Sequence, residues 1–76
     1  MSKLPSITAT EAARAFEKAG FLYVRTAGSH MIYKKAEHRF NLSIPCHSGK
    51  SLASGTLRSL IRAAGLSVEQ FVENLS

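Results

Sequence analysis

Between Phe21 and Pro45 three short extended segments lie so close together that only one strand arrangement can join them. Phe21 to Ala27 is rich in aromatic and β-branched residues and ends at Gly28-Ser29, a tight-turn pair. His30 to Lys35 follows, and a turn around Ala36, Glu37 and His38 leads back. Phe40, Leu42 and Ile44 then alternate with Arg39, Asn41 and Ser43, the clearest period-two pattern in the chain, and Pro45 closes it. A parallel pair needs a crossover of a dozen or more residues. Connections this short leave no room for one, so an antiparallel meander is predicted.

Helical signals flank the meander. Thr8-Ala9-Thr10-Glu11 has the form of a capping box, in which the hydroxyl and the carboxylate satisfy each other's orphan amides. Ala12, Ala13, Phe16 and Ala19 recur at helical spacing, with Glu11, Arg14 and Lys18 opposite them. Gly20 supplies a left-handed C-terminal cap, so the first helix is expected over residues 9–19. Cys46 to Ser54 has no periodicity and reads as a loop. A second helix starts near Ser54 or Gly55, turns Leu57, Leu60, Ile61 and Ala64 inward, and stops at Gly65. Ser67-Val68-Glu69-Gln70 is another capping box, opening a short terminal helix with Val68, Phe71, Val72 and Leu75 inward. Residues 1–7, broken by Pro5, read as a flexible arm. With no repeat or linker, residues 1–76 are expected to form a single domain.

A domain of this size buries a small core and has no room for a deep cleft, so any chemistry must sit on the surface. The apolar fraction of 45% and charged fraction of 20% are those of an ordinary globule. Ten Lys and Arg against five Asp and Glu leave a charge of +5, which favours polyanionic partners: nucleic acid, an anionic surface or an acidic protein. No apolar run approaches the roughly 18 residues that span a bilayer, and the N-terminus lacks the layout of a signal peptide, so no membrane association is expected. The single cysteine, Cys46, excludes an internal disulfide and points to the cytoplasm. No cofactor is expected. Cys46, His47 and His30 fit no familiar zinc spacing and lack a fourth ligand, so no metal is expected either.

The order α-β-β-β-α with a short extra C-terminal helix is an α+β arrangement, in which helices cover one face of a three-stranded antiparallel sheet. This layout resembles the double-stranded RNA-binding domain. Three segments carry a closer likeness. Ala19-Gly20-Phe21 runs into Val24-Arg25 and Gly28-Ser29-His30; Pro45, His47, Gly49 and Lys50 follow; Gly55-Thr56-Leu57-Arg58 leads to Ala64-Gly65-Leu66-Ser67 and Glu69. Together, and over residues 8–75, they resemble the HicA toxins of HicAB toxin–antitoxin systems. The resemblance implies a type II toxin that cleaves messenger RNA without a metal and arrests translation, and a HicB-type antitoxin that binds it and blocks its site. It also implies that the functional histidine of the Gly-x-His motif is His30.

The chemistry suits that residue. RNA carries its own nucleophile, the 2′-hydroxyl, and needs a base for its proton and an acid for the leaving oxygen. Imidazole, with an ordinary pKa of about 6.5, serves either role near neutrality. Gly28 would permit a positive φ and close approach of the RNA backbone, or simply make a hairpin turn. Ser29 as a nucleophile is disfavoured, because neighbours along a strand point to opposite faces and no orienting carboxylate is near. His47 is the candidate second catalytic group, with loop packing as its ordinary role; His38, beside Glu37, reads as solvated. Lys50, with the amides at the start of the second helix, is a candidate phosphate holder, and Arg58 and Arg62 would extend the track. Arg25 and Lys34 flank the turn and would stabilise transition-state charge. Tyr23, Tyr33 and Phe40 suit base stacking, though at strand positions such rings are more often core. The alternative is a non-catalytic RNA-binding module of the same fold; a third reading is a basic protein whose ligand is an acidic protein.

Overall fold

A computed structural model describes residues 4–47 and 49–76. The order is α1 (Ala9–Lys18), β1 (Leu22–Ala27), β2 (His30–Lys34), β3 (Leu42–Pro45), α2 (Ser54–Ala63) and α3 (Val68–Asn74), the expected α-β-β-β-α-α. Both capping boxes form. The Glu11 amide donates to Thr8 Oγ1 at 3.2 Å while the Thr8 amide donates to Glu11 Oε1 at 3.0 Å, and Ser67 and Gln70 repeat the exchange on α3. Both glycine stops also act as predicted. Gly20 and Gly65 take φ of 103° and 76°, and the residues after them, Phe21 and Leu66, donate back to the carbonyls of Phe16 and Ile61.

The strands form one antiparallel sheet in the order β1-β2-β3. Leu42 and Ile44 of β3 and Tyr33 of β2 point to the helical side and are buried among Ala12, Ala15, Phe16, Phe21, Leu57, Ile61 and Phe71. Phe16 lies at the centre, its ring 5.0 Å from Phe71 and 6.3 Å from Phe21. Alanines on the inward side of α1 let the helices approach closely, and Asn74 Nδ2 of α3 donates to the Ala15 carbonyl at 3.3 Å. Burying a phenylalanine fully contributes roughly 1.5–3 kcal/mol, so these three rings are a large share of so small a core.

The helices contact β3 most and leave β1 uncovered, with Leu22, Tyr23 and Val24 all exposed. Tyr33 bridges the layers: its hydroxyl donates to Glu17 Oε2 at 3.3 Å, and burial, aided by the Glu17 charge, pushes the phenol above its ordinary pKa.

Three details depart from expectation. The last extended segment begins at Leu42 rather than Phe40, whose ring is exposed instead of continuing the inward row. His38 is not solvated; it is half-buried and its Nε2 lies 2.7 Å from the Ala63 carbonyl, with the ring edge-on to Phe21 at 5.2 Å. A helix C-terminus leaves carbonyls unpaired, and the imidazole answers one of them. Of the arm, residues 1–3 lie outside the described residues, whereas Ile7 is 6% exposed and its carbonyl accepts from the Leu52 amide at 2.8 Å. That end of the arm is therefore anchored.

Candidate nucleic-acid interface

His30 opens β2, immediately after a two-residue hairpin turn. Gly28 takes φ 61° and Ser29 does not have a positive φ, the signs of a turn with glycine at its first central position. A Cβ on Gly28 would meet nothing within 4 Å, so its conformation and not crowding requires glycine. Because Tyr33 and Met31 face the helices, alternation sends His30, Ile32 and Lys34 to the open face. That face looks to solvent, and His30 is exposed on it.

Pairing defines its neighbours. His30 sits between Ala27 on β1 and Pro45 on β3. Arg25 pairs with Ile32 and shares the open face, one side-chain row from His30, or about 7 Å along the strand. Lys34 shares the face but stands four residues along β2, about 13 Å away. Arg25 is therefore the nearer of the two cations to His30, and Lys34 the more distant.

A β-bulge arranges the rest of β1. Tyr23 opposes Tyr33 and Arg25 opposes Ile32, so Val24 is an extra residue. Beyond it the alternation flips: Tyr23 turns to the helical side, its ring 5.7 Å from that of Tyr33 and its hydroxyl 2.7 Å from Thr26 Oγ1.

Pro45 joins this surface to a second one. It lines a groove of about 350 Å³ with His47, Lys50, Ser51, Leu52, Ala53 and Thr56. The Lys50 amide donates to the His47 carbonyl at 3.1 Å, closing a turn through Gly49 (φ 72°). The Thr8–Ser51 bridge ties the loop to the start of α1. Alone among the helices, α2 has no side-chain cap; its N-cap is Ala53 and its first turn carries no acid. Its first amides point into solvent beside Lys50, where the dipole favours an anion. The structure thus brings His47 and Lys50 together. Arg58 does not join them: it lines a different groove, between α2 and α3, with Ile61, Arg62, Leu66 and Val68. Among the described residues no three His, Cys, Asp or Glu side chains come together as metal ligands, and no helix is long and apolar enough to cross a membrane.

A family model described as HicA toxin of bacterial toxin-antitoxin matches residues 9–66. The chain belongs to the HicA toxin family. A comparison with curated proteins found no match. The HicA match runs from the first residue of α1 to Leu66, whose amide closes the end of α2. It takes in Arg25, Gly28, Ser29, His30, Lys34, His47, Lys50 and Arg58, and leaves α3 outside. As a HicA toxin the protein implies an antitoxin partner.

Proposed function

We infer that this HicA chain is a metal-independent endoribonuclease, a type II toxin acting as one domain that cleaves messenger RNA with His30 and so arrests translation. The observation that carries the reading is the position of His30: exposed, at the head of β2, on the open sheet face beside Arg25. An RNA backbone laid across that face brings a ribose to the imidazole without any cleft.

The neutral imidazole takes the proton of the 2′-hydroxyl, and the freed oxygen attacks the adjacent phosphorus. The bond to the 5′-oxygen breaks, and that oxygen receives a proton from an acid, either the same imidazolium or His47. The products are a 2′,3′-cyclic phosphate and a 5′-hydroxyl. A positioned acid or base contributes about 10²–10⁴-fold to such a step. Arg25 meets the charge that builds on the phosphoryl oxygens. Gly28 and Ser29 let the backbone approach the turn, and Lys50 and the first amides of α2 hold a neighbouring phosphate. Lys34 and Arg58 add charge further along the strand. A HicB-type antitoxin neutralises the toxin by covering this face.

The test is to incubate the wild-type chain and His30→Ala with a defined RNA in EDTA and map the ends. The wild type cuts and leaves cyclic phosphates; His30→Ala binds the RNA and does not cut it. Equal cutting by both would refute the assignment.

A further inference from the structure

Phe40 is the large apolar side chain whose position the fold explains least. Its ring is 55% exposed, outside β3, on a groove of about 250 Å³ shared with Ser59, Arg62 and Ala63 at the C-terminal end of α2. The other exposed large apolar residues, Leu22, Tyr23 and Val24, belong to β1, two places away in the sheet order. Among the described residues, Phe40 is therefore not part of a continuous patch of large exposed apolar side chains of the kind that receives a protein.

The ring is held in place. His38, fixed to the Ala63 carbonyl, stands edge-on to Phe40 with centroids 6.5 Å apart, and Phe21 backs His38 from the core. The groove is thus lined by a supported aromatic ring and by an arginine. Charge decides the ligand class. From His38 to Val68 the sequence contains no Asp or Glu, while Arg39, Lys50, Arg58 and Arg62 all fall within that stretch. An aromatic ring beside a guanidinium, in a groove lined by no carboxylate, suits a base of a polyanionic strand, since stacking accepts any base and the cation takes the phosphate.

We propose that Phe40 and Arg62 form a nucleobase-stacking subsite for single-stranded RNA, separate from the His30 site; this rests on the ribonuclease reading above. Phe40 lies five residues before Pro45, so at most about 18 Å of extended chain separates them, and His30 is one strand spacing of about 5 Å beyond Pro45. A strand cut at His30 reaches Phe40 with a nearby nucleotide along the β3 edge. The subsite grips a base without choosing among the four, so it sets affinity and the register of the strand.

The test uses the full chain carrying His30→Ala, which keeps the RNA intact, and a labelled single-stranded RNA oligonucleotide read by fluorescence anisotropy. Adding Phe40→Ala weakens binding roughly 5- to 150-fold, the equivalent of about 1–3 kcal/mol per stacked base. Phe40→Tyr restores it. An oligonucleotide of abasic sites binds the parent and its Phe40→Ala variant equally. Arg62→Ala lowers the slope of log affinity against log salt by about 0.7, whereas Phe40→Ala leaves the slope unchanged. Phe40→Trp supplies a second readout, indole emission quenched by the RNA and not by its abasic counterpart. If Phe40→Ala binds RNA as tightly as its parent, or the tryptophan stays unquenched, the subsite is refuted and the ribonuclease reading stands. If Phe40→Ala weakens binding of the abasic strand equally, the base is not the ligand and the subsite is refuted. If the His30→Ala parent binds no RNA at all, both fall together.

Discussion

His30 faces Pro45 across the β2–β3 ladder, and Pro45 in turn lines the groove that holds His47 and Lys50. One proline thereby joins a hairpin on the open sheet face to the loop that leads into α2. The Cys46 amide, next in the chain, donates to the Ser29 carbonyl at 2.6 Å, so the loop toward α2 leaves the sheet from beside the hairpin turn itself. The two histidines of the proposed site thus come from segments far apart in sequence, fixed to each other through backbone pairing.

The hairpin turn gives the first prediction. Gly28 holds φ 61° in open space, so Gly28→Ala meets no clash and pays only for the left-handed backbone. That costs about 1–2 kcal/mol. In a domain of 60–100 residues each kcal/mol lowers the melting temperature by roughly 4–8 °C. Gly28→Asn, which tolerates the conformation better, loses less. Thermal denaturation of the three chains checks the order, and RNA cleavage is expected to fall in the same order as the turn shifts His30.

Lys50→Ala separates holding from cutting. We expect weaker RNA binding, with the slope of log affinity against log salt reduced by about 0.7 for the lost phosphate contact. Cleavage at saturating RNA should change much less than it does in His30→Ala. Binding isotherms at several salt concentrations, beside single-turnover rates, make the comparison.

The start of α1 carries an acid sensitivity. The Glu11 carboxyl is held below its ordinary 4.5, first by the Thr8 amide that donates to it, then by the Thr8 hydroxyl, with Arg14 assisting. A carboxyl whose pKa is lowered by folding stabilises the chain above its unfolded value, and this is lost as pH falls through the folded value. The melting temperature should therefore decline below pH 4.5. Glu11→Gln, which can still accept from the Thr8 amide, should make that decline shallower. Thr8→Ala removes the cap at every pH and costs about 0.5–2 kcal/mol.

His38→Ala is expected to act on stability. It leaves the Ala63 carbonyl without its partner and opens a gap beside Phe21, a loss of about 1–3 kcal/mol. Chemical denaturation should show the loss while the single-turnover cleavage rate of the folded fraction stays close to wild type. Cleavage lost without loss of stability would move His38 into the site.

Much of the fold was legible because its signals are local. The capping boxes at Thr8 and Ser67 and the stops at Gly20 and Gly65 each depend on residues within one helical turn, and all four act as read. What the sequence hid is set by distant partners. Periodicity places Phe40 in line with Leu42 and Ile44, yet the strand starts only at Leu42. His38 looks like a turn residue until α2 brings the Ala63 carbonyl to it. The open-face position of His30 depends on which neighbours the helices cover, and Met31, Ile32 and Tyr33 are apolar on both faces. The likeness around Gly28-Ser29-His30 named the candidate histidine, whereas the absence of Arg58 from the Lys50 groove comes from how α2 sits beside α3.

The extra residue Val24 has an effect beyond the face on which Tyr23 lies. β1 is one of the two outer strands of its sheet and carries three exposed apolar side chains in succession, a combination that invites a foreign strand to add on. A kink at Val24 divides the outward amides and carbonyls into two short runs with different twist. A straight incoming strand can match one run or the other. The bulge thus guards this small basic protein against stacking edge to edge into aggregates when its concentration rises.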